Sequence, residues 1–190
     1  EEVMAVTSYK FAGTAANVAN GGYSVWQDYN DAKADDTAYA YLTPSEKYAS
    51  DYLSLTNFGF TSSDIPSGAT IDGIEFVVAR SHGEANNVYD YALYLLKSGT
   101  QHGSNMASAT KWPTAMAEAT YGGSTNLCGG TWTQSDIVGT NFGVQLSIKA
   151  TTKPSTGDIS YVDFIKVRVY YTEAGGGVAL PVFMFHYMNH

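Results

Sequence analysis

The chain has 190 residues and a mass of 20.4 kDa, the size of one ordinary domain. Apolar residues make up 44% of it and charged residues only 15%, a composition that excludes a disordered chain, a coiled coil and collagen. The net charge is −8, and the acidic excess lies in residues 1–75, which hold eleven acidic and three basic residues. Without a basic stripe, we expect neither nucleic acid nor an anionic membrane as a partner.

The first 50 residues have weak periodicity and are rich in Ala, Asn, Asp and Tyr. They predict one strand near residues 7–11, followed by long loops. We therefore divide the chain into an N-terminal strand and loop (1–23), a β-sandwich domain (24–173) and a C-terminal segment joined by three glycines (174–190).

Alternating apolar and polar residues predict strands throughout the central region. In the run after residue 88, we expect Tyr89, Tyr91, Leu93 and Leu95 to share the core face. Short strands with one apolar face build antiparallel sheets that pack face to face, so the sequence predicts an all-β antiparallel β-sandwich. The alternating runs cover residues 53–60, 74–78, 89–95, 142–148 and 165–171.

Turn residues separate these strands. Residues 65–70, with the sequence IPSGAT, predict a strand end, a turn begun by Pro66 and a new strand. Residues 121–124 predict another turn through two glycines, and residues 135–138 predict one helical turn with Ser135 as its N-cap. The single cysteine, Cys128, is expected to be a buried filler.

No motif for catalysis or cofactor binding is present. The chain has no nucleophile elbow and no phosphate-binding loop, so we expect no cofactor and no enzymatic activity. Five carboxylates flank strands and could in principle work in pairs: Asp72, Glu75, Glu84, Asp90 and Asp163. We expect Asp163, inside an apolar strand, to face solvent or accept a hydrogen bond from a turn N–H. His186 and His190 are four residues apart, but Pro181 disfavours a helix there, so we expect no zinc site.

One acidic loop holds the densest set of oxygen ligands in the chain. Its spacing departs from that of an EF-hand, because Lys33 stands where the invariant glycine would be and Tyr39 where the bidentate glutamate would be. We therefore expect a solvated loop and no metal. The calcium candidates that it offers are Asp28, Asn30, Asp31, Asp35 and Asp36.

Aromatic residues offer another route to function. Trp26, Trp112 and Trp132, together with surface tyrosines, could stack on sugar rings. Tyr170 lies on the polar face of its strand and is the better surface candidate, whereas Tyr89 and Tyr91 are expected in the core.

The C-terminal segment is the most apolar part of the chain. Residues 174–190 contain no Asp, Glu, Lys or Arg and follow a run of three glycines. Leaving this segment in water would promote aggregation, so we expect it to dock. Docking as a strand on a neighbouring subunit is the leading interpretation, and folding back on its own domain or lying at a lipid interface are the alternatives. The predicted assembly residues are Leu180, Val182, Phe183, Met184, Phe185, Tyr187 and Met188.

A series of weak signals in a fixed order resembles a known group of proteins. Trp26 comes before a polar loop that leads to Tyr39 and Ala40, and the turns and strands above follow in order to the closing run at residues 161–172. Over residues 24–172 the chain resembles β-sandwich domains of virion structural proteins in tailed bacteriophages and prophages. The resemblance implies a jelly-roll-like sandwich on an extracellular phage particle, as a capsid decoration, fibre or tail component.

We therefore expect a non-enzymatic virion structural protein that acts through subunit assembly. Its expected partners are copies of itself, other virion proteins and a host-surface glycan. Two alternatives remain open: a secreted carbohydrate-binding or adhesion module, and a subunit of a cell-surface filament joined by strand exchange.

Overall fold

The protein is an antiparallel β-sandwich, as the sequence predicts. A computed structural model describes residues 3–21, 24–83, 87–155 and 158–174. Eleven strands in this part of the chain form one six-stranded and one five-stranded sheet, called sheet A and sheet B here. The assembly residues predicted between 180 and 188 lie outside the described residues.

Sheet A is built around two long antiparallel strands, β6 (Thr70–His82) and β11 (Ser160–Thr172). Strand β9 (Ala117–Gly122) pairs with the other side of β6. Three short strands share the remaining side of β11: β1 (Met4–Val6), β2 (Lys10–Phe11) and β4 (Ala40–Leu42). Such short pieces leave little continuous edge on this side of the sheet.

Sheet B has the strand order β3-β5-β10-β7-β8, and every pair is antiparallel. Its middle strand, β10, pairs with β5 on one side and β7 on the other, which places β10 and β7 in the sheet interior. The strands are β3 (Thr14–Val18), β5 (Tyr52–Thr56), β7 (Val88–Lys97), β8 (Thr100–His102) and β10 (Gly143–Ala150).

The eight strands from β4 to β11 follow the path of a jelly roll. The chain passes between the sheets at each step except β7 to β8, so β4, β6, β9 and β11 lie in sheet A and β5, β7, β8 and β10 in sheet B. This is the double-sheet, two-Greek-key arrangement of eight strands.

The N-terminal residues contribute to both sheets. Strands β1 and β2 pair with β11, and β3 pairs with β5. Where weak periodicity predicts one strand followed by long loops, the structure has three short strands in residues 4–18. They are too short for periodicity to reveal, and their partners lie far along the chain.

Local signals explain several connections. Gly122 ends β9 at φ 75, and a Cβ there would lie 2.0 Å from the carbonyl oxygen of Ile74, so the predicted turn requires glycine. The only α-helix in the described residues, α1 (Gln134–Val138), begins two residues earlier than predicted. Its N-cap is Thr133, not Ser135, because Thr133 and Asp136 form a capping box.

A buried ion pair connects the two sheets inside the apolar core. Arg80 on β6 and Asp90 on β7 are 3% and 2% exposed, and their side chains form a direct salt bridge. Asp90 also accepts hydrogen bonds from Trp112 Nε1 at 2.8 Å and from the Tyr121 hydroxyl at 2.6 Å. The guanidinium lies over the rings of Trp112 and Tyr121, 5.2 and 5.6 Å from their centroids.

In this network the buried charges of Arg80 and Asp90 compensate each other. Burial, and then the negative charge of Asp90, raise the pKa of Tyr121 well above its usual range, so Tyr121 remains a hydrogen-bond donor. Removing one charge of a buried pair leaves the other without compensation, which is costlier than removing both.

Substituting Asp90 by Leu should therefore lower the free energy of unfolding by about 3–5 kcal/mol, measured by urea denaturation. The double variant Arg80→Met, Asp90→Leu should recover much of that loss. Lys166→Met, which breaks the surface pair with Glu118 (2.7 Å), is the control and should cost less than about 1 kcal/mol. Equal losses for D90L and K166M would contradict a structural role for the buried pair.

Candidate functional site on the outer face of sheet B

The strand register of sheet B defines an outer face lined with tyrosines. Leu53, Leu146 and Leu93 are cross-strand neighbours in the core, so the residues beside them point outward. Four tyrosines lie on this face: Tyr52 on β5, and Tyr89, Tyr91 and Tyr94 on β7. Three are half-buried, and Tyr91 is 48% exposed.

The prediction that Tyr89 and Tyr91 lie in the core is wrong. A β-bulge in β7 lets Ser147 pair with Ala92 and the next residue, Ile148, pair with Asp90, so Tyr91 is the extra residue. Beyond the bulge, Asp90 points inward to Arg80 and Tyr89 points outward beside Lys149. The alternation therefore changes sides within one strand, which period-2 analysis cannot detect.

Polar side chains between the tyrosines form a hydrogen-bonded floor. Gln101 Nε2 donates to Gln145 Oε1 at 3.2 Å, and Gln145 Nε2 donates to Ser54 Oγ at 3.3 Å. Ser147 Oγ donates to the carbonyl oxygen of Ser50 at 2.8 Å. Ser54, Gln145 and Ser147 are less than a tenth exposed although they lie on the outer face. These bonds fix the floor before any ligand arrives.

Two lysines lie against the tyrosines at one end of the face. Lys111 Nζ is 4.3 Å from the centroid of the Tyr89 ring, and Lys149 Nζ is 5.7 Å from that of Tyr91. Lys149 is also the cross-strand neighbour of Tyr89. A tyrosine-lined, polar-floored surface with cations at one end is suited to binding.

The tryptophans proposed to stack on sugars are not available for it. Trp26 and Trp112 are 1% exposed and Trp132 is 8% exposed. Each indole N–H has an internal partner: the Asp51 carbonyl at 3.0 Å, the Asp90 carboxylate at 2.8 Å and the Leu127 carbonyl at 2.9 Å, respectively. Composition identified the aromatic residues but not their burial.

Tyr170 is half-buried on the outer face of sheet A, and neighbouring side chains already contact its hydroxyl and its ring. Its hydroxyl donates to Glu75 Oε2 at 3.2 Å, and the Arg168 guanidinium lies 5.3 Å from its ring centroid and 4.7 Å from that of Tyr9. Glu75 also accepts a hydrogen bond from Tyr9 and pairs with Arg168 Nη2 at 2.8 Å. Burial, and then this bond to Glu75, raise the pKa of Tyr9 to about 12.

The strand-flanking carboxylates do not form a catalytic pair in the described residues. Asp90 and Glu75 are engaged as above, and Asp72 Oδ2 accepts a hydrogen bond from Thr172 Oγ1 at 2.7 Å. Glu84 lies outside the described residues.

The acidic loop surrounds a 3-10 helix (Tyr29–Ala32) that begins after Asp28. Asp28, Asn30, Asp35 and Asp36 are exposed and Asp31 is half-buried; Asp36 Oδ1 accepts a hydrogen bond from the N–H of Ala38 at 3.1 Å. Within the described ranges, no three carboxylate, imidazole or thiol groups are close enough to hold one metal ion.

Asp163 lies beside this loop and is 6% exposed, at a β-bulge between Val162 and Phe164. Of the two environments predicted for it, exposure to solvent is wrong, and hydrogen bonding to turn N–H groups agrees with the structure, because the N–H groups of Asp36 and Thr37 donate towards its carboxylate. Its Oδ1 is buried without a hydrogen-bond partner among the described residues. Burial and then the negative charge of Asp35 raise the pKa of Asp163.

Three further sequence predictions can be located. Cys128 is a buried filler as expected, 1% exposed, and burial raises its pKa to about 11. His186 and His190 lie outside the described residues. In the part of the chain that the structure describes, no helix has the length and apolar character needed to cross a membrane.

Comparisons with known proteins identify weak likenesses in fold. No protein-family model and no curated protein matches the chain. Among solved structures, it is similar to the CBM22-1 xylan-binding domain of Paenibacillus barcinonensis Xyn10C, with 9% identity, coverage of 89% of this chain and 97% of that one, and a TM-score of 0.44.

Two further structures extend the range of neighbours. The Clostridium thermocellum xylanase 10B CBM22-1–GH10 modules give 10% identity, coverage of 86% of this chain and 28% of that one, and a TM-score of 0.43. The capsid asymmetric unit of cyanophage Pam1 gives 17% identity, coverage of 90% and 85%, and a TM-score of 0.31. The neighbours thus include carbohydrate-binding modules and a phage capsid protein, and their likeness to this chain is a weak one of β-sandwich fold.

The raised pKa of Asp163 predicts how stability depends on pH. The unfolded state loses this proton first, so as pH rises from about 4, ionisation of Asp163 increasingly destabilises the folded state. Asn keeps an oxygen for the N–H groups and carries no charge. Asp163→Asn should therefore be at least as stable as the parent at pH 7 in thermal denaturation, and its advantage should shrink as the pH falls towards about 4 and be lost below that value.

Asp64→Asn is the control with the opposite sign. Burial by itself would raise the pKa of Asp64, but hydrogen bonds from Lys10 and Thr61 lower it. Because the ionised carboxylate stabilises the folded state, Asp64→Asn should destabilise the protein at pH 7. A D163N variant that loses stability only when calcium is supplied would instead indicate that Asp163 holds a cation.

Proposed function

We propose that the protein is a non-enzymatic β-sandwich domain that binds a glycan through the tyrosine-lined face of sheet B. The observation that carries this proposal is the four outward tyrosines around a prearranged floor of glutamine and serine side chains. Aromatic rings offer flat apolar surfaces to the C–H faces of sugars, and hydroxyl and amide groups match sugar hydroxyls.

The positions of the tyrosines suit an extended ligand. Tyr52 on β5 and Tyr94 on β7 are separated by β10, which corresponds to two strand spacings or roughly 10 Å across the sheet. Among the described residues, the hydroxyls of these tyrosines make no hydrogen bond, so they remain available to a ligand. A chain of several sugars can contact both rings and the polar floor between them.

Substituting Tyr52 or Tyr94 by Ala tests this site. Each change should weaken binding to a polysaccharide that retards the parent protein by about 3- to 10-fold, as expected for loss of one aromatic contact. Affinity electrophoresis against a panel of neutral and acidic polysaccharides gives the measurement. Tyr39→Ala, which removes a half-buried tyrosine that contacts Tyr161 on the other sheet (5.7 Å), is the matched control. If nothing in the panel retards the protein, or Y94A binds as the parent does, the proposed site is wrong.

A second candidate function is assembly into a phage particle as a decoration, fibre or tail subunit. The observation that favours it is the position of exposed apolar residues. Among the described residues seven large apolar side chains are exposed, and six of them lie in the first 25 residues: Val3, Met4, Val6, Phe11, Val18 and Val25. Three of these, Val3, Met4 and Val6, form an apolar strip beside the strand that leads into residues 175–190, because Met4 and Val6 pair with Thr172 and Tyr170.

Sheet A also has an edge that can accept another strand. Strand β9 ends the sheet, and no other described strand pairs with its outer side. In this candidate function, residues 178–190 of one subunit add as a strand to β9 of the next, with Phe183, Phe185 and Tyr187 on one face of the strand.

Deleting residues 178–190 should leave the sandwich folded and abolish assembly. Size-exclusion chromatography with light scattering measures the oligomeric state, and circular dichroism checks the fold. Phe183→Asp with Phe185→Asp should act in nearly the same way, because an unpaired charge is costly to bury. Normal assembly of the truncated chain would remove this candidate, and failure to fold would place the segment in the core of its own domain.

A further inference from the structure

Lys111 and Lys149 both lie next to Tyr89, at one end of the tyrosine-lined face. Lys111 covers its ring at 4.3 Å, and Lys149 is its partner across the strand pair. Both lysines are half-buried, and a tyrosine ring lies against each ammonium group. A lysine held on an aromatic ring is partly desolvated and keeps N–H donors directed away from the ring.

These two charges lack the carboxylate partners that Lys10, Lys97 and Lys166 have. Lys10, Lys97 and Lys166 pair with carboxylates at 2.7, 2.9 and 2.7 Å. Among the described residues, neither Lys111 nor Lys149 has an ion pair, and the outward positions of sheet B carry no Asp or Glu. In a chain of net charge −8, this end of the face therefore presents positive charge that no carboxylate on the described strands of sheet B compensates.

We infer that the ligand of this face is an acidic glycan, with its anionic group placed at Tyr89 between Lys111 and Lys149. The inference rests on the proposed glycan-binding function and specifies the class of glycan. Sugar rings stack on Tyr52 and Tyr94 over the polar floor, and the two ammonium groups donate charge-assisted hydrogen bonds to a carboxylate or a sulfate. The net negative charge of the rest of the protein repels an acidic glycan from other surfaces, so the two lysines determine where it binds.

Matched pairs of polysaccharides test the charge requirement with the full-length chain. Polygalacturonate and its fully methyl-esterified form share a backbone and differ in the carboxylate, and carrageenan and agarose offer a similar comparison for sulfate. Affinity electrophoresis should show at least tenfold tighter binding to the acidic member of one pair, weakening as salt is raised. The pair that shows the difference identifies the carboxylate or the sulfate as the recognised group.

Substitution of the lysines locates the effect. Lys149→Gln and Lys111→Gln should each weaken binding to the acidic glycan roughly tenfold, with little change for the neutral one. Lys149→Arg should retain binding, and thermal denaturation should confirm that all variants fold. Lys47→Gln and Lys153→Gln are the controls, since these lysines line a pocket with Pro44 and Pro154 that includes none of the four tyrosines and should change affinity less than about twofold.

The outcomes separate this inference from the function on which it rests. Equal binding to charged and neutral members, unaffected by K111Q and K149Q, would overturn the acidic-glycan inference and leave a neutral glycan on the tyrosines. If K47Q and K153Q lose as much affinity for the acidic glycan as K111Q and K149Q do, the effect is general charge attraction. That result would also overturn the acidic-glycan inference. Absence of binding to every polysaccharide would remove the glycan-binding function itself.

Discussion

The salt bridge between Arg80 and Asp90 is the interaction on which the rest of the structure depends. It joins the two sheets through their buried faces, and Trp112 and Tyr121 complete the hydrogen bonds of its carboxylate. A buried carboxylate must point towards its partner, so Asp90 faces inward although its neighbours in sequence are aromatic. The bulge that follows in β7 restores Leu93 to the core and leaves Tyr91 exposed. An electrostatic requirement of the core thereby creates the surface that we propose as the binding site.

The outer faces of the two sheets use similar residues in different ways. On sheet A, Tyr9, Tyr170, Arg168 and Glu75 satisfy one another through hydrogen bonds, an ion pair and cation–π contacts. On sheet B, the floor is internally bonded, and above it Lys111 and Lys149 lie against Tyr89 and Tyr91 without an ion pair among the described residues. Exposed aromatic residues with available polar groups are the common feature of binding surfaces, so sheet B, and not sheet A, offers the site.

Recognition and assembly would use separate parts of this fold. The apolar strip formed by Val3, Met4 and Val6 belongs to sheet A, beside the end of β11, whereas the tyrosines belong to sheet B. A domain that is fixed to a particle through one sheet and contacts a glycan through the other combines the two proposed functions without competition between them.

The sequence by itself determined the fold class, because strands with one apolar face and turns with glycine and proline leave few packing solutions other than a sandwich. It also identified the burial of Cys128 and the turn at Gly122, where the chemistry is local. Only the tertiary structure decided which aromatic residues face solvent. The tryptophans were drawn inside by partners distant along the chain, such as Asp51 for Trp26 and Asp90 for Trp112, and Tyr91 was turned outward by a bulge. Burial and register depend on contacts between residues far apart in sequence, and period-2 alternation carries no information about such contacts.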